Sequence, residues 1–201
     1  MKDAIKWGTD YLIKAHPEPN LFIGQVGNGV EDHKFWGRPE NMTMDRPVYF
    51  LDPSKPGSDL AGESAAALAA ASIIFKDSDP TYSSLCLDHA KDLFNFANTY
   101  RGKYSDSISD AAIFYKTWGK VEDELAWAAA WLYKATEENS YLTIAENIYS
   151  SSGIGNLANE FSWEQKDPGA QVLLAELTKK QVYIDDVTSF CENIVDMFLF
   201  T

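Results

Sequence analysis

Apolar positions recur at helical spacing along most of the chain, and the pattern breaks at clusters of proline and glycine. Residues 2–15 put Ile5, Trp7, Tyr11 and Leu12 on roughly one helical face, and Pro17 and Pro19 end that helix. Leu21-Phe22-Ile23 is a short apolar run, either a strand or the anchor of the segment after it. Residues 24–47 lose the periodicity. Five glycines and prolines before Asn41 predict a long loop with neither a helix nor a central strand. Residues 49–56 are extended and proline-punctuated, and residues 58–75 are apolar nearly all round, as in a buried inner helix. Ser58 or Asp59 is its expected N-cap, with Glu63 near its positive end.

An amphipathic helix over 81–100 follows, with Tyr82, Leu85, Leu93, Phe94 and Ala97 near one face. Residues 104–109 read as a loop, and 110–118 as a short aromatic segment. A second alanine-rich inner helix (123–135) then pairs with an outer one (141–149), and a third pair covers 169–178 and 182–198. The pairs echo one another: Trp131 to Thr136 followed by Tyr141 parallels Leu173 to Thr178 followed by Tyr183. A single hairpin cannot bury an inner helix, so neighbouring hairpins must stack. The expectation is an all-α chain, part of an α/α toroid, with long loops at one end.

Composition narrows the function. The 201 residues suit one domain with a sizeable core. A net charge of −13 argues against nucleic acid and anionic membranes as partners, and is compatible with a neutral polysaccharide. Cys86 and Cys191 support neither a disulfide framework nor a zinc site. The first residues hold no apolar signal-peptide core, and the alanine-rich run over 61–75 contains Glu63 and is short for a membrane span.

Within the 24–47 loop, His33 and Trp36 stand three apart. A hydrogen-bonding ring beside a flat apolar face suits a sugar, whose hydroxyl rim and C–H face need those two surfaces. The plainer alternative makes Trp36 a core plug and His33 a satisfied loop residue.

Four further stretches point to a family. Gly24-Gln25-Val26-Gly27-Asn28-Gly29 leads to His33 and Trp36-Gly37-Arg38-Pro39-Glu40. Lys55-Pro56-Gly57-Ser58-Asp59-Leu60-Ala61-Gly62-Glu63, the segment from Thr99 to Asp106, and Asp123-Glu124-Leu125-Ala126-Trp127 follow in order. Together they resemble glycoside hydrolase family 9, mostly endo-β-1,4-glucanases, over about residues 7–183, with a divergent tail at 184–201. The resemblance implies a barrel of six αα-hairpins around a cleft for β-1,4-glucan, a secreted protein, and an inverting mechanism. Inversion needs one carboxylate to activate water and another to protonate the leaving oxygen, about 6.5–9.5 Å apart.

By the same resemblance, His33 and Trp36 bind and stack a glucosyl unit, and Tyr115 and Trp118 floor neighbouring subsites. No cofactor is required. A structural calcium site is implied at Gly119, Lys120, Asp123, Glu124 and Glu164, an oxygen-only set that suits Ca²⁺. Lys120 and Glu164 depart from the usual pattern there. The family's base motif, Asp-Ala-Gly-Asp, and its acid context, Asn-Glu-Val-Ala, do not occur in these residues. The chain therefore reads as one partial catalytic domain without a catalytic residue of its own. Asp59/Glu63 and Asp123/Glu124 are read as structural, the second pair with diverging side chains. The alternatives are a non-catalytic glucan-binding or structural remnant of the fold, or another α/α-toroid enzyme such as a sugar epimerase.

Overall fold

The computed structural model describes residues 1–156 and 158–199. Helix α1 (Lys2–Ala15) leads to a two-stranded antiparallel ribbon, β1 (Phe22–Val26) and β2 (Val48–Leu51). Three helical hairpins follow: α3 (Ser58–Phe75) with α4 (Pro80–Thr99), α6 (Glu122–Thr136) with α7 (Asn139–Ser152), and α8 (Asp167–Thr178) with α9 (Gln181–Leu199). Short helical pieces sit in the connections: α2 (Gly29–Lys34) in the ribbon loop, α5 (Tyr104–Ser107) between the first two hairpins. Residues 200–201 of the expected tail, and the Phe198 side chain, lie outside the described residues.

The inner helices are α3, α6 and α8, packed side by side in that order, and each outer helix covers its own partner. This is a segment of an α/α toroid. Small side chains make it possible. Ala61, Ala65 and Ala69 of α3 and Ala126, Ala129 and Ala130 of α6 are fully buried. Gly62 lies so close to α6 that a methyl group there would stand 3.3 Å from the Glu124 carbonyl oxygen. Leu68, Leu93, Leu125, Leu132 and Leu174 fill the space between, each worth about 1.5–3 kcal/mol of burial. Helix α3 is apolar and long enough to cross a membrane by composition and length, yet 67% of it is buried, as a core helix should be.

The internal repeat is visible at atomic level in two turns. Helices α6 and α8 both end at a threonine followed by a left-handed residue, Glu137 at φ 61° and Lys179 at φ 58°. In each turn the threonine hydroxyl donates to the carbonyl four residues back and accepts the amide two residues on.

Four sequence expectations need correction here. The N-cap of α3 is Gly57, while Asp59 points away to bind other segments. The ribbon loop holds a helix after all, because Asn28 caps it by accepting the Glu31 amide at 3.0 Å and no proline intervenes before Pro39. Residues 104–107 form a helical turn where a loop was expected. On α1, Ile5 and Leu12 pack on the core, but Trp7 and Tyr11 are exposed, at 82% and 53%. The hundred-degree step per residue puts Trp7 almost opposite Leu12, so a face drawn through both is too wide. Both cysteines are free, Cys86 buried and Cys191 exposed.

Candidate functional site

The ribbon loop, the N-terminal ends of α3 and α6, and the segments around 111–117 and 163–164 enclose a cleft of about 600 Å³. That is the range of a small-ligand site. His33, Phe114, Tyr115 and Trp163 give it ring faces, and Gln25, Asp59, Glu63 and Glu124 give it polar groups.

Each ring is held by identifiable contacts. The His33 Nδ1–H donates to the Gly29 carbonyl at 2.7 Å, and its ring stacks on Phe114 with centroids 3.8 Å apart and planes 5° from parallel. Tyr115 meets Trp163 edge to face at 5.7 Å, and its carbonyl accepts the Tyr104 hydroxyl at 2.6 Å. Such pairs add about 0.5–1.5 kcal/mol beyond area burial, which fixes ring orientation in an otherwise open cleft.

Of the four residues expected to contact sugar, His33 and Tyr115 line this cleft together. Trp36 and Trp118 are not among its lining residues. Trp36 is fully exposed, so the core-plug alternative is wrong for it; Trp118 is 74% exposed and lies under the Lys116 ammonium at 4.5 Å. Phe114 and Trp163 line it without having been singled out. Phe114 carried no signal beyond an aromatic segment, while Trp163, next to Glu164 and inside a loop, offered the same exposed-aromatic signal as Trp36.

The carboxylates also depart from expectation. Asp59, Glu63 and Glu124 all reach the cleft lining. Asp59 is nonetheless a structural clamp: it accepts the amides of Leu60 and Tyr104, both at 2.9 Å, and the Thr117 hydroxyl at 2.6 Å. Burial pushes its carboxyl above the usual range, and those three donors pull against the rise. Glu63 pairs with the Lys166 ammonium at 2.8 Å, and burial raises its pKa more than the lysine lowers it. Asp123 and Glu124 line different hollows, Glu124 this cleft and Asp123 a second one. Both are buried, because the first turn of α6 is sealed against α3 and residue 166. Burial first, and the neighbouring Asp123 charge second, push Glu124 up to about 11.

A model of glycosyl hydrolase family 9 matches residues 1–199. The chain belongs to that family.

Its relatives agree. It is 54% identical over 177 residues to an endoglucanase of Dictyostelium discoideum, a match covering 87% of this chain and 25% of that protein. Endoglucanase 6 of Arabidopsis thaliana is 55% identical over 175 residues, with 28% of that protein covered. Among solved structures, the endoglucanase of the termite Nasutitermes takasagoensis superposes with a TM-score of 0.94 at 57% identity, covering 97% of this chain and 45% of that one. The cellulase Cel9M of C. cellulolyticum in complex with cellobiose superposes at 0.86 with 34% identity, covering 95% and 44%. The chain thus spans about a quarter of the length of the curated relatives and under half of the solved ones.

A second hollow of this family-9 chain holds the residues expected at calcium: Gly119, Lys120, Asp123 and Glu164 line it, with Asp167 opposite, while Glu124 faces the main cleft. Glu164 Oε1 accepts the amides of Trp118 and Gly119, both at 2.7 Å, and Asp123 Oδ2 accepts the Lys166 amide at 2.8 Å. Asp123 Oδ1, Glu124 Oε2 and Glu164 Oε2 are buried without a hydrogen-bond donor. Orphaned carboxylate oxygens of this kind fit a hard cation. Two features work against it. Among the described residues no three His, Cys, Asp or Glu side chains are gathered as ligands. The Lys120 ammonium also reaches into this region, donating to Asp167 at 2.7 Å and to the Ser152 carbonyl at 3.1 Å.

Proposed function

We propose that this chain is the glucan-binding middle of a family-9 endoglucanase, forming one wall of a cleft for β-1,4-glucan. The supporting observation is the cleft itself: His33 and Tyr115 line one groove on a chain of this family although 82 residues separate them. The complete protein would hydrolyse β-1,4-glucosidic bonds by inversion, and by kinship it would act outside the cell. These 201 residues contain neither the Asp-Ala-Gly-Asp nor the Asn-Glu-Val-Ala segment. General acid–base assistance contributes about 10²–10⁴-fold per group, so the chain alone should give no measurable turnover.

The test has two arms. Cellotetraose titrated into the 201-residue chain should bind, and His33→Ala or Tyr115→Ala should weaken binding by about tenfold, the worth of one good ring or hydrogen-bond contact. Reducing-sugar release from carboxymethylcellulose should stay at the heat-killed background. Binding unaffected by either substitution would overturn the glucan assignment, and turnover abolished by a cleft substitution would overturn the claim of inactivity. Binding without turnover also agrees with the non-catalytic alternative. The genomic sequence on either side decides between the two, by whether it encodes the missing segments.

We further propose that the second hollow takes a structural calcium ion through Asp123 and Glu164, with carbonyls of Gly119 and Lys120, while Glu124 of the expected set is turned to the main cleft. Two orphaned oxygens of residues lining it, Asp123 Oδ1 and Glu164 Oε2, support it. Lys120 competes, so affinity should be modest. The melting temperature should rise in millimolar calcium and fall back with chelator, and Lys120→Gly should enlarge the response, toward the about 2.7 kcal/mol expected at a hundredfold excess over Kd. An unchanged melt in both proteins ends this reading.

A further inference from the structure

We propose that Asp110 is a positioning residue for His33, setting which imidazole nitrogen faces the cleft. The proposal rests on the reading of His33 as a glucan-facing group. Asp110 and Phe114 stand at the two ends of a single 3₁₀ turn over Ala111–Ile113. The spacing brings a carboxylate against the start of α2 and a phenyl ring against both Gly29 and the His33 imidazole.

At the start of α2, the Asp110 carboxylate accepts three hydrogen bonds from the ribbon loop. The Gly29 amide donates at 2.7 Å, the Asn28 side-chain amide at 2.8 Å, and the Gln25 side-chain amide is the third donor. Bonds to a charged acceptor are the strong kind. Asn28 is held at both ends, because its oxygen accepts the Glu31 amide and caps the helix. Gln25 is fastened too, donating to the Gly27 carbonyl at 2.8 Å.

This arrangement anchors the first amide of α2, and the helical backbone of Gly29 that starts there sets where the Gly29 carbonyl points. Four residues on, His33 donates its Nδ1–H to that carbonyl. The bond made by one ring nitrogen dictates the state of the other, so Nε2 is left as an acceptor on the exposed side. Phe114 completes the clamp by lying flat on the imidazole. Gly29 is required for that approach: a methyl group there would meet Phe114 Cε2 at 2.8 Å. Thus one short turn delivers both the carboxylate that places the acceptor and the ring that holds the imidazole plane.

The experiment is ¹⁵N imidazole spectroscopy on the labelled 201-residue chain at pH 8, with His33 assigned by a His33→Gln variant, alongside cellotetraose titration. Wild type should show His33 protonated at Nδ1. Asp110→Asn keeps the shape but turns an amide toward its donors, and Asp110→Ala removes the acceptor. Both should convert His33 to a mixture of tautomers and weaken cellotetraose binding about tenfold, the scale of a lost charge-assisted bond. Phe114→Leu removes the stacked ring alone and should leave Nδ1 protonated. Retention of a single Nδ1–H form in both Asp110 variants overturns the proposal. So does loss of the native near-ultraviolet circular dichroism in both, which would make Asp110 a group that holds the fold. A His33→Ala chain that binds cellotetraose like wild type sinks the glucan reading instead, while the tautomer comparison still decides the part played by Asp110.

Discussion

His16 shows how a single side chain can make the stability of this chain depend on pH. It caps the end of α1, is buried, and shares a 2.8 Å contact between its Nδ1 and that of His89 on α4. One ring must donate and the other accept, so the contact cannot survive protonation of both. Burial lowers the His16 pKa first and the His89 charge adds to this, while the Pro19 carbonyl and Asp92 oppose it. A depressed folded pKa means the folded state binds fewer protons than the unfolded chain. The stabilisation is therefore present above the unfolded value of about 6.5 and is lost as pH falls through the folded one. Asp59, Glu63 and Glu124 carry raised pKa values and act in the opposite sense on acidification. The informative measurement is thus a difference: between pH 7.5 and 5.5 the melting temperature of a His16→Gln variant should change less in the destabilising direction than that of the parent. Parallel curves for the two proteins would remove His16 as the cause.

At the scale of elements, the hairpins depend on close approach and on two matching turns. Gly62 is a point of close approach of α3 to α6. Gly62→Leu should cost about 1–3 kcal/mol by forcing these helices apart, whereas Gly62→Ala gains about 1 kcal/mol of helix propensity that offsets most of its tighter contact. Glu137 and Lys179 hold left-handed conformations that cost an L-residue roughly 1–2 kcal/mol each. Replacing either by glycine should stabilise by up to about 1 kcal/mol, the remainder going to the greater freedom of glycine in the unfolded chain. Urea unfolding of the four variants checks both statements. A Lys179→Gly chain less stable than the parent would mean that its side chain holds the turn and the backbone does not.

The whole molecule presents large apolar side chains at both lateral ends of the hairpin stack. Trp7 and Tyr11 stand out from α1; Val172 on α8 and Val182 and Val195 on α9 are about half exposed. The solved termite endoglucanase is more than twice as long as the part this chain matches. Exposed apolar patches beyond a few hundred Å² favour association. The isolated chain should therefore self-associate as its concentration rises, and Trp7→Ser with Tyr11→Ser should reduce that association. Light scattering that finds a monodisperse monomer with a sharp cooperative melt would refute this.

Sequence alone determined the helical hairpins, their inner and outer members and the family, because these follow from local periodicity and from motifs read in order. Helix α1 and inner helix α3 fall within the expected limits, and the threonine turns of α6 and α8 repeat in space as they do along the chain. The tertiary structure alone decided which chemical groups meet. The likeness of the ribbon loop to the family motif could not reveal that Asp110, 81 residues after Gly29, would receive its amide. Nor could adjacent positions in the chain show that Asp123 and Glu124 are both buried, since α6 turns that end toward α3 and residue 166. Trp7 and Trp36 carry the same indole and both end up in solvent, where a pattern of apolar positions had no means of placing them. Periodicity records which face of an element is greasy; what that face meets depends on contacts between residues far apart in sequence.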